Sequence, residues 1–321
     1  ARPRARPGRA AARLLLTAAA AAPRGALCQT QTSFFDLAGP PAFALGSAAD
    51  WWRFPTYVIC FRDEARRAAV RDHLRGHGLT DVRFADAVDA RNATELAPHL
   101  GNMSFDHVVC PKRRAYALKK VAMWAARQAV TEAIVRSGVP GLLLEDDVYF
   151  PAPPFARRAN ALVADLAASG RLWDVAYLGH CFESMAEDGR ECPRARGSAD
   201  PVWYSRLQKA VCTHALFFPV EGARRAADYL RDWPKEFHAR TLEAARALPT
   251  SCKAAERALE LKLNRKHLLT LTRGADNALL RGAATGALYA YVAWPVLVQQ
   301  AVHRNHRAWT YGERRPRSCH M

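Results

Sequence analysis

The chain has 321 residues, of which 50% are hydrophobic and 24% are charged, and its formal net charge is +17. This composition is typical of a globular protein with one large or two small domains, and it excludes a fibrous or wholly disordered chain. Only 8 of the 47 basic residues are Lys, and the Arg residues are scattered along the chain. We therefore expect no nucleic-acid partner, although a basic surface attracts phosphate-bearing ligands.

The first 35 residues have the composition of a targeting segment, with six Arg among residues 1–26 and no acidic residue before Asp36. The short apolar core Leu14–Ala22 is typical of a secretory signal, and an organelle transit peptide is the alternative because it is also rich in Arg. The core is too short to span a bilayer, but a segment upstream of Ala1 could extend it into a membrane anchor. We expect the secretory pathway lumen, in the endoplasmic reticulum or Golgi, or else an importing organelle.

The cysteines and two glycosylation motifs favour an oxidising lumen. None of the eight cysteines forms a Cys-x-x-Cys pair, so we do not expect zinc. Cys181 and Cys192 flank a short charged loop, which predicts a local disulfide in a secreted protein. The alternative is that several cysteines are simply small buried residues. Asn92-Ala93-Thr94 and Asn102-Met103-Ser104 have the form of N-glycosylation sites.

A linker and a strand–helix–strand unit come next along the chain. Residues 36–50 are rich in Gly, Pro and Ala and are predicted to form a stem or linker. Tyr57–Phe61 predicts a first strand, Asp63–Gly76 a helix and Val82–Phe84 a second strand. This alternation is typical of a parallel sheet flanked by helices, which is an α/β fold.

A long helix and an acidic strand end follow. Apolar residues at spacings of three and four predict a helix over residues 112–137 that ends at Gly138. The apolar run after it ends in Glu145, Asp146 and Asp147 and predicts a buried strand. Because side chains alternate along a strand, Glu145 and Asp147 are expected to point one way and Asp146 the other, unless the turn rotates Asp146 inward.

The remaining elements complete one domain. We predict helices over residues 155–169 and 221–230, strands over 173–179 and 215–218, a polar loop over 180–201, a basic helical region over 235–269 and an aromatic segment over 289–298. The sequence has no internal repeat. Residues 51–310 are therefore predicted to form a single domain, followed by a basic tail at residues 311–321.

The three adjacent carboxylates predict a cation site. Glu145 and Asp147 repel each other when they share one space, and a hard divalent cation relieves that repulsion because it prefers oxygen ligands. Ligands of open α/β sheets bind beyond the carboxyl ends of the strands, so a metal at this position could clamp the diphosphate of a nucleotide. The alternative is that the carboxylates cap the next turn or pair with Arg.

Three other side chains are candidates for a site, each with a simpler interpretation. His214 precedes an apolar strand and is more simply a buried or edge histidine. Asp276 precedes an apolar helix and is most simply a helix N-cap. His303 could reach a metal, but a solvated basic tail is the simpler interpretation of its surroundings.

In order and spacing, the segments between about residue 55 and residue 300 resemble glycosyltransferase family 25, which includes bacterial lipopolysaccharide galactosyltransferases and procollagen hydroxylysine galactosyltransferases. The most specific motif is Leu144-Glu145-Asp146-Asp147-Val148. Weaker matches are the opening strand Tyr57–Phe61 with Arg67, Ala87–Ala90, Trp173–Gly179, Thr213–Ala215 with Gly222-Ala223, Asp276 and Pro295–Gln300.

The resemblance implies a GT-A fold, which is a mixed, mostly parallel sheet that binds a nucleotide sugar. It also implies an inverting, metal-dependent transfer of a hexose, usually galactose, from a UDP-sugar to a hydroxyl of a protein or glycan, commonly with Mn²⁺. By position, the implied metal ligands are Asp147 and Glu145, and the implied donor-binding residues are Tyr57, Arg67, Ala87, Glu145 and Asp146. Asp276 becomes the candidate general base, and His214 and His303 become candidates for acceptor contact or metal support.

Departures from the family pattern indicate a divergent member. Cys60 stands where Asn is common, Lys119-Lys120 where Ser-His is usual, and Ala275 where Pro commonly precedes the aspartate. Two other functions stay open. One is a catalytically silent relative that binds nucleotide sugars or glycans, and the other is a basic nucleic-acid-binding protein, which the scattered Arg residues disfavour.

Overall fold

The computed structural model describes residues 51–151, 154–180, 182–185, 195, 202–211, 213–247, 251–252, 275–294 and 296–300. These residues all belong to one compact unit of the chain. Several predictions lie outside the described residues, namely the targeting segment 1–35, the linker 36–50, the tail 311–321, the Cys181–Cys192 disulfide and any role of His303.

Seven helices and ten strands occur in these ranges. The helices are α1 (Glu64–Arg75), α2 (Ala93–Leu100), α3 (Pro111–Ser137), α4 (Phe155–Ala168), α5 (Val220–Arg231), α6 (Trp233–Ala247) and α7 (Ala275–Thr285). The strands are β1 (Thr56–Cys60), β2 (Val82–Asp86), β3 (Gly141–Glu145), β4 (Val148–Tyr149), β5 (Val175–Gly179), β6 (Phe182–Met185), β7 (Trp203–Val211), β8 (Ala215–Phe218), β9 (Ala290–Trp294) and β10 (Gln299–Gln300).

Eight of the described strands form a mixed sheet in the order β2-β1-β3-β8-β5-β9-β7-β6, and β10 pairs with β4 in a separate two-stranded sheet. β1, β2, β3, β5, β6 and β9 run in one direction, and β7 and β8 run in the other. The predicted α/β class with a mixed sheet is therefore confirmed. The three neighbours β2, β1 and β3 are mutually parallel, so their carboxyl ends meet at one edge of the sheet.

The predicted strand–helix–strand unit is present, with small shifts in its bounds. Thr56–Cys60 pairs in parallel with Val82–Asp86. α1 begins after Asp63, whose side chain accepts a hydrogen bond from the backbone N–H of Arg66 at 3.0 Å. This cap satisfies one of the first N–H groups of the helix, and it starts α1 directly beyond the carboxyl end of β1.

β3 is buried on both faces, which explains why its sequence does not alternate between apolar and polar residues. Leu142 and Leu144 contact a core that includes α1 and α4, and Leu143 contacts a second core that includes α3, α5 and α7. All three side chains are fully buried, and burial of each one stabilises the fold by roughly 2 kcal/mol. Helices on both sides therefore fix the strand that ends in the three carboxylates.

α3 places a charged residue inside the second core. The helix begins at Pro111 and ends at Gly138, whose φ of 65° is left-handed, as is common for glycine just after a helix. Arg127 lies in the middle of α3, and only 2% of it is exposed. A buried guanidinium requires a charged or polar partner, and that partner lies at the end of β3.

Residues 296–300, which we call the closing strap, cross the edge of the sheet. The backbone N–H groups of Leu297 and Val298 donate to the carbonyl oxygen of Leu178 in β5, at 2.9 and 3.1 Å. At the end of the strap, Gln300 pairs with Val148 of β4. The strap therefore lies beside the carboxyl end of β5 and reaches the chain just after the three carboxylates.

Two strands at the far edge of the sheet were not predicted from the sequence. β6 lies within residues 180–201, which were predicted to form a polar loop, and β7 follows it. β6 is outermost and β7 contains exposed charge such as Arg206, so neither has the apolar run of a central strand. The helical region predicted over residues 235–269 is confirmed by α6 as far as Ala247, and residues 248–250 and 253–274 lie outside the described residues.

Candidate functional site

The acidic turn, which comprises Glu145, Asp146 and Asp147, lies at the carboxyl end of β3. β3 ends at Glu145, and the next two residues form a turn that leads into β4. The backbone N–H of Glu145 donates to the carbonyl oxygen of His214 at 3.0 Å, and Ile59 of β1 pairs with Glu145. The turn is therefore fixed to strands on both sides, at the edge where ligands of α/β sheets bind.

Glu145 has a hydrogen-bond donor on each carboxylate oxygen. Nη2 of Arg127 donates to Oε1 at 2.5 Å, and Nε2 of Gln300 donates to Oε2 at 2.6 Å. Arg127 belongs to α3 and Gln300 to the closing strap. The two donors fix the orientation of Glu145 and compensate for its partial burial.

Asp146 points to the other face of the sheet. Nε of Arg66, in α1, lies 2.5 Å from Oδ2 of Asp146. Burial, with a smaller contribution from Asp146, raises the pKa of the neighbouring Cys60 thiol to about 12. Cys60 is therefore a neutral thiol at physiological pH and not a nucleophile.

Of the three carboxylates, Asp147 has the fewest hydrogen-bond and ion-pair partners within the described part of the chain. Its Oδ1 atom is buried and has no hydrogen-bond partner among the described residues. Burial raises the pKa of Asp147, and the charge of Asp146 raises it further, while a hydrogen bond from its own backbone N–H, the charge of Arg66 and the amide of Gln300 lower it. An uncompensated buried oxygen costs free energy, which a bound cation would remove.

Two side chains of the acidic turn, Glu145 and Asp146, follow the predicted alternation. Glu145 faces α3 and Asp146 faces α1, while Gln300 contacts Glu145 and lies close enough to Asp147 to lower its pKa. Asp147 therefore shares Gln300 with Glu145 and Arg66 with Asp146, so the two faces are separated for Glu145 and Asp146 only. The alternative interpretation, that the carboxylates pair with Arg, describes Glu145 and Asp146 but not Asp147.

The acidic turn fits a metal site only of the kind in which a bound substrate supplies part of the metal ligands. Within the described parts of the chain, no three His, Cys, Asp or Glu side chains converge where they could bind a metal ion. Ions such as Mg²⁺ are often bound by one or two carboxylates together with substrate phosphates, rather than by a complete protein cage. Asp147 fits that arrangement through Oδ1, whereas both oxygens of Glu145 already have donors.

A cleft of about 730 Å³ lies between α3 and the strands β1 and β2. Two of the predicted donor-binding residues, Tyr57 and Ala87, line this cleft, but the acidic turn does not. The phenol oxygen of Tyr57 accepts a hydrogen bond from Nη1 of Arg83 at 3.3 Å. Both residues line the cleft, but only Ala87 lies at the edge of the sheet that carries the acidic turn, because Tyr57 is near the amino end of β1.

Arg67 connects the ends of β1 and β2. Its Nη2 lies 2.5 Å from Oδ1 of Asp86, and its Nε donates to the carbonyl oxygen of Phe61 at 3.2 Å. The hydrogen bond from Arg67 is the largest of the effects that lower the pKa of Asp86. Arg67 does not line the cleft, so its visible role is to fix the cleft wall through Asp86.

His214 is buried behind the acidic turn and only 1% exposed. Its Nε2 lies 3.0 Å from the carbonyl oxygen of Val298, so this nitrogen carries the ring proton and donates it to the strap. A Cβ atom at Gly179 would lie 2.4 Å from the same nitrogen. His214 therefore joins β8 to the closing strap, and its Nε2 is not available to a metal.

The predicted general base is only partly described. Asp276 is the second residue of α7, and its backbone but not its side chain belongs to the described part of the chain. α7 packs against β7, α5 and α3, so it lies on the same side of the sheet as Arg127 and Glu145. The role of Asp276 stays a prediction.

The sequence did not predict the residues that compensate the acidic turn. Arg66, Arg127 and Gln300 come from three different elements, and each contacts a carboxylate. One signal was available for Arg127, because it lies at helical spacing from the apolar residues Val130 and Ile134 on the buried face of α3. Such an arginine indicates a buried ion pair, although it does not identify the partner.

No described helix is long and apolar enough to cross a membrane. The chain matches no protein-family model, and no curated protein matches it significantly. The resemblance to glycosyltransferase family 25 therefore stays a prediction, supported by the motifs themselves.

Proposed function

We propose that this protein is a metal-dependent glycosyltransferase with a GT-A fold, which transfers a hexose from a UDP-sugar to a hydroxyl of a protein or glycan. The observation that supports this most is the contrast within the acidic turn. Glu145 and Asp146 each have an Arg partner, whereas the buried Oδ1 of Asp147 has no hydrogen-bond partner among the described residues. A divalent cation bound to a diphosphate is the chemical group that fits such an oxygen.

The cleft beside the turn supports a nucleotide as the ligand. Tyr57 and Ala87 line it, and its lining also includes Arg62, Arg83 and Arg136. The lining also includes Asp86, Asp89 and Glu95, so a diphosphate would be bound by individual guanidinium groups and not attracted by a net positive charge of the wall. In this proposal the nucleotide lies against the ends of β1 and β2, and its diphosphate extends to the acidic turn.

Each group of the chain has a defined task in this proposal. Mn²⁺ or another divalent cation, when bound, neutralises the charge that develops on the leaving diphosphate. Asp147 binds that cation through Oδ1, and Glu145 stays fixed by its two donors and orients the donor sugar. Asp276 accepts the proton of the acceptor hydroxyl as that oxygen attacks the anomeric carbon and the bond to the diphosphate breaks. We place the protein in the secretory pathway lumen, where glycosyl acceptors occur.

The proposal predicts that Asp147→Asn lowers the turnover of a UDP-sugar at least about 100-fold, because one ligand of the metal–diphosphate group is lost. The measurement is a panel of UDP-sugars, UDP-galactose first, with Mn²⁺ or EDTA, in which the released UDP is quantified. Asp228→Asn is the matched control. Asp228 forms an exposed ion pair with Arg231 on α5, and its replacement should change turnover less than twofold.

The outcomes separate the alternatives. Binding of a UDP-sugar with Mn²⁺ but without turnover on any acceptor would indicate the catalytically silent relative. Full activity of Asp147→Asn would contradict the assignment of Asp147. If the wild-type chain shows neither binding nor turnover with any UDP-sugar, the proposed function is wrong.

A further inference from the structure

The closing strap ends in a glutamine that contacts the acidic turn. Nε2 of Gln300 donates to Oε2 of Glu145 at 2.6 Å, and the same side chain lowers the pKa of Asp147. Gln300 is therefore bonded to Glu145 and lies close to Asp147, the carboxylate that faces the proposed metal–diphosphate group. The other oxygen of Glu145 is bonded by Arg127, so Gln300 completes the set of donors around this carboxylate.

The chemistry of an amide suits this position. A Gln side chain donates hydrogen bonds without adding charge, so it can orient two carboxylates and leave their negative charge available to a cation. A Lys or Arg at the same position would also orient them, but its charge would compete with the cation. Glu145 therefore has a cationic donor, Arg127, on one oxygen and a neutral donor, Gln300, on the other.

Buried contacts fix the strap that positions Gln300. His214, which is 1% exposed, is bonded to the carbonyl oxygen of Val298, and Leu178 accepts two hydrogen bonds from the strap. A Cβ atom at Gly179 would lie 2.4 Å from His214 and 2.7 Å from the carbonyl oxygen of Val298. The close approach of the strap therefore requires a glycine at position 179, and little freedom remains for the backbone that leads to Gln300.

We propose that Gln300 is a positioning residue, which fixes Glu145 next to Asp147 and so keeps Asp147 in place to bind the metal–diphosphate group. His214 and Gly179 act through the strap and not on the ligand. This inference rests on the proposed function and assigns to the closing strap a role in affinity for the metal.

The test compares Gln300→Met with Gln299→Met in the 321-residue chain. Methionine has nearly the length of glutamine but donates no hydrogen bond, and Gln299 lies on the same short strand, beside Tyr149. Titration calorimetry with Mn²⁺ alone, and with Mn²⁺ at saturating UDP, gives the metal affinity of each variant. We expect Gln300→Met to weaken Mn²⁺ binding about 10- to 100-fold, while UDP affinity at saturating Mn²⁺ changes less than about threefold. Gln299→Met should resemble the wild type.

Gln300→Glu keeps the shape of the side chain and replaces the donor with a third carboxylate near Glu145 and Asp147. Mn²⁺ alone should raise the melting temperature of this variant more than that of the wild type, because the cation relieves the added repulsion. A side chain at position 300 that lies away from the metal site would not give this result. The variant also decides the question if Gln300→Met does not fold.

Each outcome bears on one proposal or on both. Unchanged Mn²⁺ affinity in Gln300→Met, or an equal loss in Gln299→Met, would overturn the positioning role and leave the proposed function intact. So would a smaller Mn²⁺-induced shift in Gln300→Glu than in the wild type. A wild-type chain that binds no Mn²⁺ in the presence of UDP would overturn both.

Discussion

Two aspartates next to strands of the sheet, one fully buried and one partly buried, have contrasting surroundings. Asp174 lies directly before β5 and is fully buried, yet Oδ1 accepts from Nε of Arg225 at 2.5 Å and Oδ2 accepts from the backbone N–H of Tyr289 at 2.7 Å. Asp147 follows β3, and its Oδ1 has no such partner among the described residues. A buried carboxylate with a donor on each oxygen is typically structural. A carboxylate at a ligand-binding edge that has an oxygen without a donor indicates a functional site.

The largest expected effect on stability comes from the acidic turn itself. Arg127→Met should lower the free energy of unfolding by about 4 kcal/mol, because it leaves Glu145 partly buried with a neutral donor only. Urea denaturation followed by circular dichroism measures this. An effect below about 1 kcal/mol would mean that water compensates Glu145, and the contrast with Asp174 would then be weaker than the structure indicates.

A smaller loss of stability is expected when Asp174, the aspartate with a donor on each oxygen, is replaced. Asp174→Asn should lower the free energy of unfolding by about 2–3 kcal/mol, because an amide can accept from Tyr289 but presents its NH₂ group, or a neutral oxygen, to Arg225. Arg225 is partly exposed, which limits the loss. The same denaturation assay applies, with Asp228→Asn as the exposed control. If Asp174→Asn loses UDP-sugar binding but keeps its stability, Asp174 also serves ligand binding, and the two aspartates do not differ in role.

The smallest effect, and one of opposite sign, is expected for Asp147→Asn without metal. Because burial raises the pKa of Asp147 above its ordinary value of 3.8, ionisation of this group destabilises the folded state. That penalty is present above the folded-state pKa and absent below pH 3.8, where the carboxyl is protonated in both states. Asp147→Asn should therefore stabilise the metal-free chain at pH 7 by less than about 1 kcal/mol, and the gain should disappear as the pH falls. Thermal unfolding from pH 3.5 to pH 7 measures it, and a destabilised variant at pH 7 would contradict the prediction.

The sequence was sufficient to predict the part of the site that is local. An apolar run that stops at three carboxylates indicates a buried strand with an acidic end, and β3 and the acidic turn have that form. The donors around the turn could not be predicted, because Arg127 is 18 residues and Gln300 is 155 residues from Glu145 along the chain. No local pattern identifies such partners. The outermost strand β6 and its neighbour β7 were missed for a related reason, since their polar residues resemble those of a loop.

The closing strap also has a consequence for the order in which the protein matures. Contacts between residues so far apart form late, because the chain must close a long loop before their interaction energy is gained. During synthesis, β1, β3 and the acidic turn emerge well before residues 296–300, and N-terminal segments begin to fold first. A nascent or truncated chain that lacks the strap would contain all three carboxylates but not the bond between Gln300 and Glu145. Assembly of the acidic site is therefore coupled to completion of the fold, and only a chain that has docked the strap has the whole site.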